Sequence, residues 1–163
     1  MLYHYQTLIA GVVGFLGVII SIVANGYFAR KQERDLRAHA KSSVIAALRS
    51  ELRVNFETIK VRSAQLHKDH DETKNGFLPL VVFNEVYKHS LAQLGVLDEE
   101  QAEYIIKVYL LLEELPTKMA LLPGVKIIDN SFIQFTSAEQ KKYAAKEHQI
   151  IAVLLGETLE KIA

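Results

Sequence analysis

Two histidines and an aspartate, His67, His70 and Asp71, lie close together in HKDHDETKNG, residues 67–76. On a continued helix they would share one face, and imidazole nitrogens with a carboxylate oxygen are ligand types that a divalent cation takes. No further partner follows in a recognisable spacing such as HExxH, and so polar a run, closed by Asn75-Gly76, reads as a solvated loop. Glu51 and Asn55 stand one helical turn apart in ELRVN. They are the best candidates for an internal hydrogen-bonding pair, a polar clamp between helices. Catalysis would ask for a second carboxylate, or for a nucleophile with its base, and neither accompanies them. His89 and His148 are lone histidines on helical runs. Gly11, Gly14 and Gly17 are surrounded by apolar residues and cannot form a phosphate-cradling loop. The chain has no cysteine, hence no thiolate nucleophile, disulfide or cysteine-based zinc site. These residues predict a protein that is not an enzyme and that uses neither metal nor cofactor.

The elements that would position such residues divide sharply by charge. All 19 Lys+Arg and all 19 Asp+Glu follow residue 29. At about 1.5 Å per residue, a helix from Thr7 to Ala29 spans roughly 34 Å, enough to cross a hydrocarbon core of about 30 Å with a modest tilt. The apolar run is too long for a cleavable signal peptide, and MLYHYQ before it carries no Lys or Arg. Residues 1–29 are therefore expected to be a retained transmembrane anchor. Arg30, Lys31, Arg34 and Arg37 crowd its carboxyl side, which predicts a single-pass topology with the amino end out and residues 30–163 cytoplasmic. Tyr27 with Arg30, Lys31 and Arg34 would mark the inner membrane interface. Within the span, Ala10, Gly14, Gly17, Ser21 and Ala24 recur every three or four residues. Small residues on one stripe let a second helix approach closely, so this stripe is the expected packing seam of a homo-oligomer.

Neither Gly nor Pro interrupts residues 29–67, and the transmembrane helix is expected to continue outward as one long helix. Ile45, Leu48, Leu52, Phe56, Ile59, Ser63 and Leu66 repeat with an eleven-residue period that gives it one apolar face. A second helix is expected from Leu78-Pro79, presenting Val82, Val86, Tyr87, Leu91 and Leu94 to the core and stopping at Gly95. Asp98 with Gln101 forms a capping box for a third. Its segment YIIKVYLLLEEL, 104–115, is apolar nearly all round and belongs in the middle of the domain; Pro116 kinks or ends it. VKIIDNSFIQF, 125–135, is either a small hairpin or an irregular extended connection. Thr136 or Ser137 caps the last helix, whose buried face is Tyr143, Ala144, Ile151, Leu154, Leu155, Leu159 and Ile162. The fold class expected is all-α: an amino-terminal transmembrane helix running into a long helix, and a cytoplasmic antiparallel bundle of about four helices over 30–163.

YQTLIAG (5–11), ALRSELRVN (47–55), FLPLVVFNEVYKHSLAQLGVL (77–97) and VYLLLEEL (108–115) together resemble a set of uncharacterised bacterial single-span inner-membrane proteins. The resemblance implies one anchor, an all-helical inner domain and a bacterial inner membrane, and carries over no catalytic residues. A membrane-tethered, non-catalytic interaction or assembly module is the expected function. The alternative is a regulatory or sensor-like subunit of a membrane complex. The expected partners are the lipid bilayer, a second copy through the span, and a protein that the sequence does not identify; no nucleic acid is expected.

Overall fold

The computed structural model describes residues 2–68, 76–129 and 131–163, with the side chains of 2–10 and 12 excepted. In chain order the elements are α1 (Leu2–Lys68), β1 (Gly76–Pro79), α2 (Glu85–Ser90), a 3-10 helix (Leu91–Val96), α3 (Glu99–Ala120), β2 (Lys126–Ile128), β3 (Phe132–Phe135) and α4 (Ala138–Lys161). The chain separates into two compact units, 1–42 and 43–163.

The first unit is helix alone. It contains the one helical stretch, among the described residues, that is long and apolar enough to cross a membrane by length and composition. Phe15, Ile20, Ile22, Val23, Tyr27 and Phe28 are all exposed. An α-helix closes its backbone hydrogen bonds within itself, which is the condition for lying in hydrocarbon. Ser21 meets the same condition with its side chain, its Oγ donating to the Gly17 carbonyl at 2.8 Å.

In the second unit, α1 buries Val44, Leu48, Leu52, Asn55, Ile59, Ser63 and Leu66. The eleven-residue period holds, with Leu48 to Ile59, Leu52 to Ser63 and Asn55 to Leu66 each one repeat apart. Ile45 and Phe56 are partly buried at its margins. The capping box at Asp98 and Gln101 opens α3, and Ser137 rather than Thr136 caps α4, its Oγ accepting from the Gln140 amide at 3.2 Å. Lys161 at the end of α4 lies 3.2 Å from Glu100 at the start of α3, so the two helices run antiparallel. Small residues on α4 allow α1 to come close: Phe56 would be 3.6 Å from a Cβ placed on Gly156, and Ser63 Oγ donates to the Ala145 carbonyl at 3.0 Å.

The described residues are mostly helical, with four α-helices among them, and they also contain a small antiparallel sheet of order β1-β3-β2. The expectation of an all-α domain is corrected accordingly. Strands Lys126–Ile128 and Phe132–Phe135 pair antiparallel, the hairpin that was the first of the two alternatives for 125–135, with Asp129 following the first strand at φ 50°. The hairpin's second strand recruits Gly76–Pro79 through Leu78↔Ile133 and Gly76↔Phe135, and this pairing removes the helix expected from Leu78. Leu78, Ile133 and Phe135 fill the core side of the sheet. Pro79, which lacks a backbone donor, ends an edge strand, where it does least harm.

Helix α2 is only six residues long, and Leu91 is exposed on the 3-10 segment after it. Two further expectations need correction. Helix α3 is amphipathic rather than buried all round, for Ile106 and Leu110 face outward, and it runs through Pro116 to Ala120. Tyr143 on α4 is exposed. The buried positions there are Lys141, Ala144, Ala145, His148, Ile151, Ala152, Leu155 and Thr158, with Ile162 just after the helix, a stripe of small, large and polar residues.

Candidate functional site

Residues 80–87 have almost no strand partner, and three side chains of α1 hold them instead. Leu80 N–H still reaches the Ser131 carbonyl at 2.9 Å. Beyond it, Arg62 Nη1 donates to the Val81 carbonyl at 3.0 Å. Asn55 then pairs with Phe83 as a strand residue would, its Nδ2 donating to the carbonyl at 2.6 Å and its Oδ1 accepting from the amide at 3.1 Å. Glu51 completes the series. Its Oε2 accepts from the Val86 amide at 2.7 Å, and its Oε1 accepts from the Tyr87 amide at 3.1 Å and from the Tyr109 hydroxyl at 2.6 Å.

Glu51 thereby serves as the cap of α2. The residue in the cap position, Asn84, does not cap it; its Nδ2 donates to Glu113 at 2.8 Å. The first amides of a helix have no intrahelical acceptor, and a carboxylate from a distant element satisfies two of them here. Tyr87 and Tyr109 stack with ring centroids 4.1 Å apart and planes 6° from parallel. Burial, then the hydrogen bond to Glu51, pushes the Tyr109 hydroxyl well above its usual range, which keeps it a proton donor.

His148 lies at the other end of this polar array and is wholly buried. Its Nδ1 is 2.7 Å from the Ala144 carbonyl. A carbonyl can only accept, so the proton sits on Nδ1 and Nε2 is left as an acceptor, without a hydrogen-bond partner among the described residues. A void of ≈10 Å³ adjoins it, bounded in part by Arg62, Val81, Pro116 and Met119. Desolvation lowers the imidazole from 6.5 to about 4; the Ala144 carbonyl opposes this shift and the Arg62 charge adds to it.

The polar pair Glu51–Asn55 is thus brought onto one backbone segment, while the array is extended by Arg62, which the sequence reading does not name, and by His148, read there only as a lone histidine. Arg62 lies seven residues after Asn55, two turns on the same face, and that register is the signal that could have found it. His148 is flanked by Ala144, Ala145 and Ala152, small neighbours that mark a tightly packed stripe. His67 has its Nδ1 3.1 Å from the Ser63 carbonyl; His70 and Asp71 lie outside the described residues. Among the described residues no group of three or more His, Asp or Glu side chains converges on a metal position. His89 is exposed, its Nδ1 on the Glu85 carbonyl at 2.7 Å.

In the first unit Gly14, Gly17, Ser21 and Ala24 share one face of α1, and a Cβ on either glycine would meet nothing within 4 Å. Ala10 belongs to the helix, and its side chain lies outside those described. Tyr27 packs edge to face on Phe28 with centroids 5.9 Å apart. Arg30, Lys31 and Arg34 are exposed in the turns that follow.

Comparison of the chain with protein-family models, with curated proteins and with solved structures gives no match.

Proposed function

We propose that this chain is a membrane-tethered, non-catalytic interaction or assembly module of the bacterial inner membrane. The observation that carries the proposal is the charge-free helical stretch of α1, with its large apolar side chains exposed and Arg30, Lys31 and Arg34 directly after it. In water that surface would be strongly unfavourable; in lipid it is the helix's natural solvent, with the cations left at the headgroups. The engagement of Glu51 by three donors supports the non-catalytic part. A carboxylate whose oxygens already bind two backbone amides and a buried phenol is poorly placed to shuttle protons.

Orientation follows the positive flank. A reporter that works only in the cytoplasm, fused after Ala163, is expected to be active, and activity of a periplasm-specific reporter at that position would reverse the topology. Self-association is assigned to the face bearing Gly14, Gly17, Ser21 and Ala24, because inside lipid close backbone approach replaces the hydrophobic drive. In a bilayer assay of helix proximity the native chain should associate, and Gly14→Leu with Gly17→Leu should abolish the signal while leaving insertion intact. An undiminished signal from the double variant removes this face as the interface.

A further inference from the structure

Three helices meet at the small void beside His148. Arg62 of α1, Pro116 of α3 and His148 of α4 all line it, and residues 78–82 close the remaining side. Its volume of ≈10 Å³ is about that of one water-sized sphere, and nothing larger fits. His148 is 0 % exposed, and its two ring nitrogens point to opposite sides of the imidazole. Nδ1 is committed to the Ala144 carbonyl at 2.7 Å. Nε2 therefore turns away from its own helix and finds no donor among the described residues. A buried acceptor without a partner is uncommon in folded proteins, and an ordered water is the usual answer.

The walls supply what such a water needs. Arg62 carries five N–H donors on a planar fork, and Nη1 gives one of them to the Val81 carbonyl at 3.0 Å. Its charge lies close enough to His148 to help lower the imidazole, so the guanidinium and the ring face each other without a direct bond. Helix α3 adds an acceptor, because Pro116 has no N–H to offer the Leu112 carbonyl one turn before it. A donor and two acceptors are about the three partners that a buried water takes. A metal ion at this point would be repelled by Arg62.

We propose that the void is a binding site for one structural water, which donates to His148 Nε2, accepts from the Arg62 guanidinium and turns its second hydrogen to the Leu112 carbonyl. The water joins α1, α3 and α4 at one point and completes the polar array that holds residues 80–87. The site goes beyond the proposed tethering role and does not depend on it.

The test is NMR of the full chain in detergent micelles at neutral pH, isotope-labelled at histidine. Long-range nitrogen–proton spectra should show His148 protonated at Nδ1 and bare at Nε2. Water-selective NOE spectra should show cross peaks from water to the ring C–H protons of His148, with the sign of a water held through the tumbling of the particle. The Ser63 hydroxyl, which bonds the neighbouring Ala145 carbonyl, could relay the same signal by exchange. Ser63→Ala removes that route, and the cross peaks should persist. Arg62→Met takes away the donor and should reduce them to background while the Nδ1 tautomer remains. A native ring without water cross peaks, or with its proton on Nε2, overturns the proposal. So do cross peaks that vanish in Ser63→Ala or survive in Arg62→Met, and the native spectra decide even if Arg62→Met fails to fold.

Discussion

Glu51→Ala is expected to destabilise the folded domain by about 3–5 kcal/mol, the range for leaving buried charge-assisted donors without their acceptor. Three groups lose their partner together: the amides of Val86 and Tyr87, and the hydroxyl of Tyr109, whose side chain is 0 % exposed. Water cannot reach the phenol without the tyrosine stack coming apart. Helix α2 loses the carboxylate that accepts from its first amides, and six residues are too few to stand without one. Tyr109→Phe removes one donor and leaves Glu51 on both amides, so its effect should be nearer about 1 kcal/mol. Glu51→Gln should fall between, because its amide nitrogen must face a donor. Denaturant unfolding of the full chain in detergent, followed by circular dichroism, checks the series. A Glu51→Ala midpoint close to that of the native protein would show that the carboxylate does not hold α2.

Acid should weaken the fold in a window set by His148. Its imidazole is lowered from 6.5 to about 4 in the folded protein, chiefly by desolvation. Between those values the unfolded chain takes up a proton that the folded one refuses. Stability is therefore complete above the unfolded value and falls as pH drops, by about 1.4 kcal/mol per pH unit and about 3 kcal/mol across the window. His148→Met keeps a long side chain in the site and has no proton to gain. The variant should hold its stability from neutral pH down to the region where carboxylates titrate, and the native chain should not. Parallel decline of the two would place the acid sensitivity elsewhere.

Much of α1 could be read from spacing. Its eleven-residue apolar repeat predicts the buried set from Leu48 to Leu66, and a turn-spaced Glu51 and Asn55 on that face predict a polar clamp. The partner of the clamp could not be read, because it is main chain. Backbone amides carry no sequence signature, and residues 80–87 look like a helix as long as their apolar positions are judged alone. A short run such as LPLVVF fits a period of 3.6 nearly as well as one of 2, and local pattern cannot arbitrate. What decides is a strand pairing between Leu78 and Ile133, 55 positions apart, which no local window contains. The lone helix histidine at 148 carried even less signal. Its burial depends on Arg62, Pro116 and Met119 closing over it, three residues from two other helices.

A side-chain-held connection has a fixed length. Ordinary surface loops absorb an added or lost residue at little cost. Between Pro79 and Tyr87 that freedom is gone, for Arg62, Asn55 and Glu51 grip the segment at Val81, Phe83 and Val86 along one helical face. Shifting the chain by one residue would present each of the three with the wrong peptide group at once. The connector behaves as a ruler whose graduations are cut into α1, and it sets how far the sheet stands from the tyrosine stack.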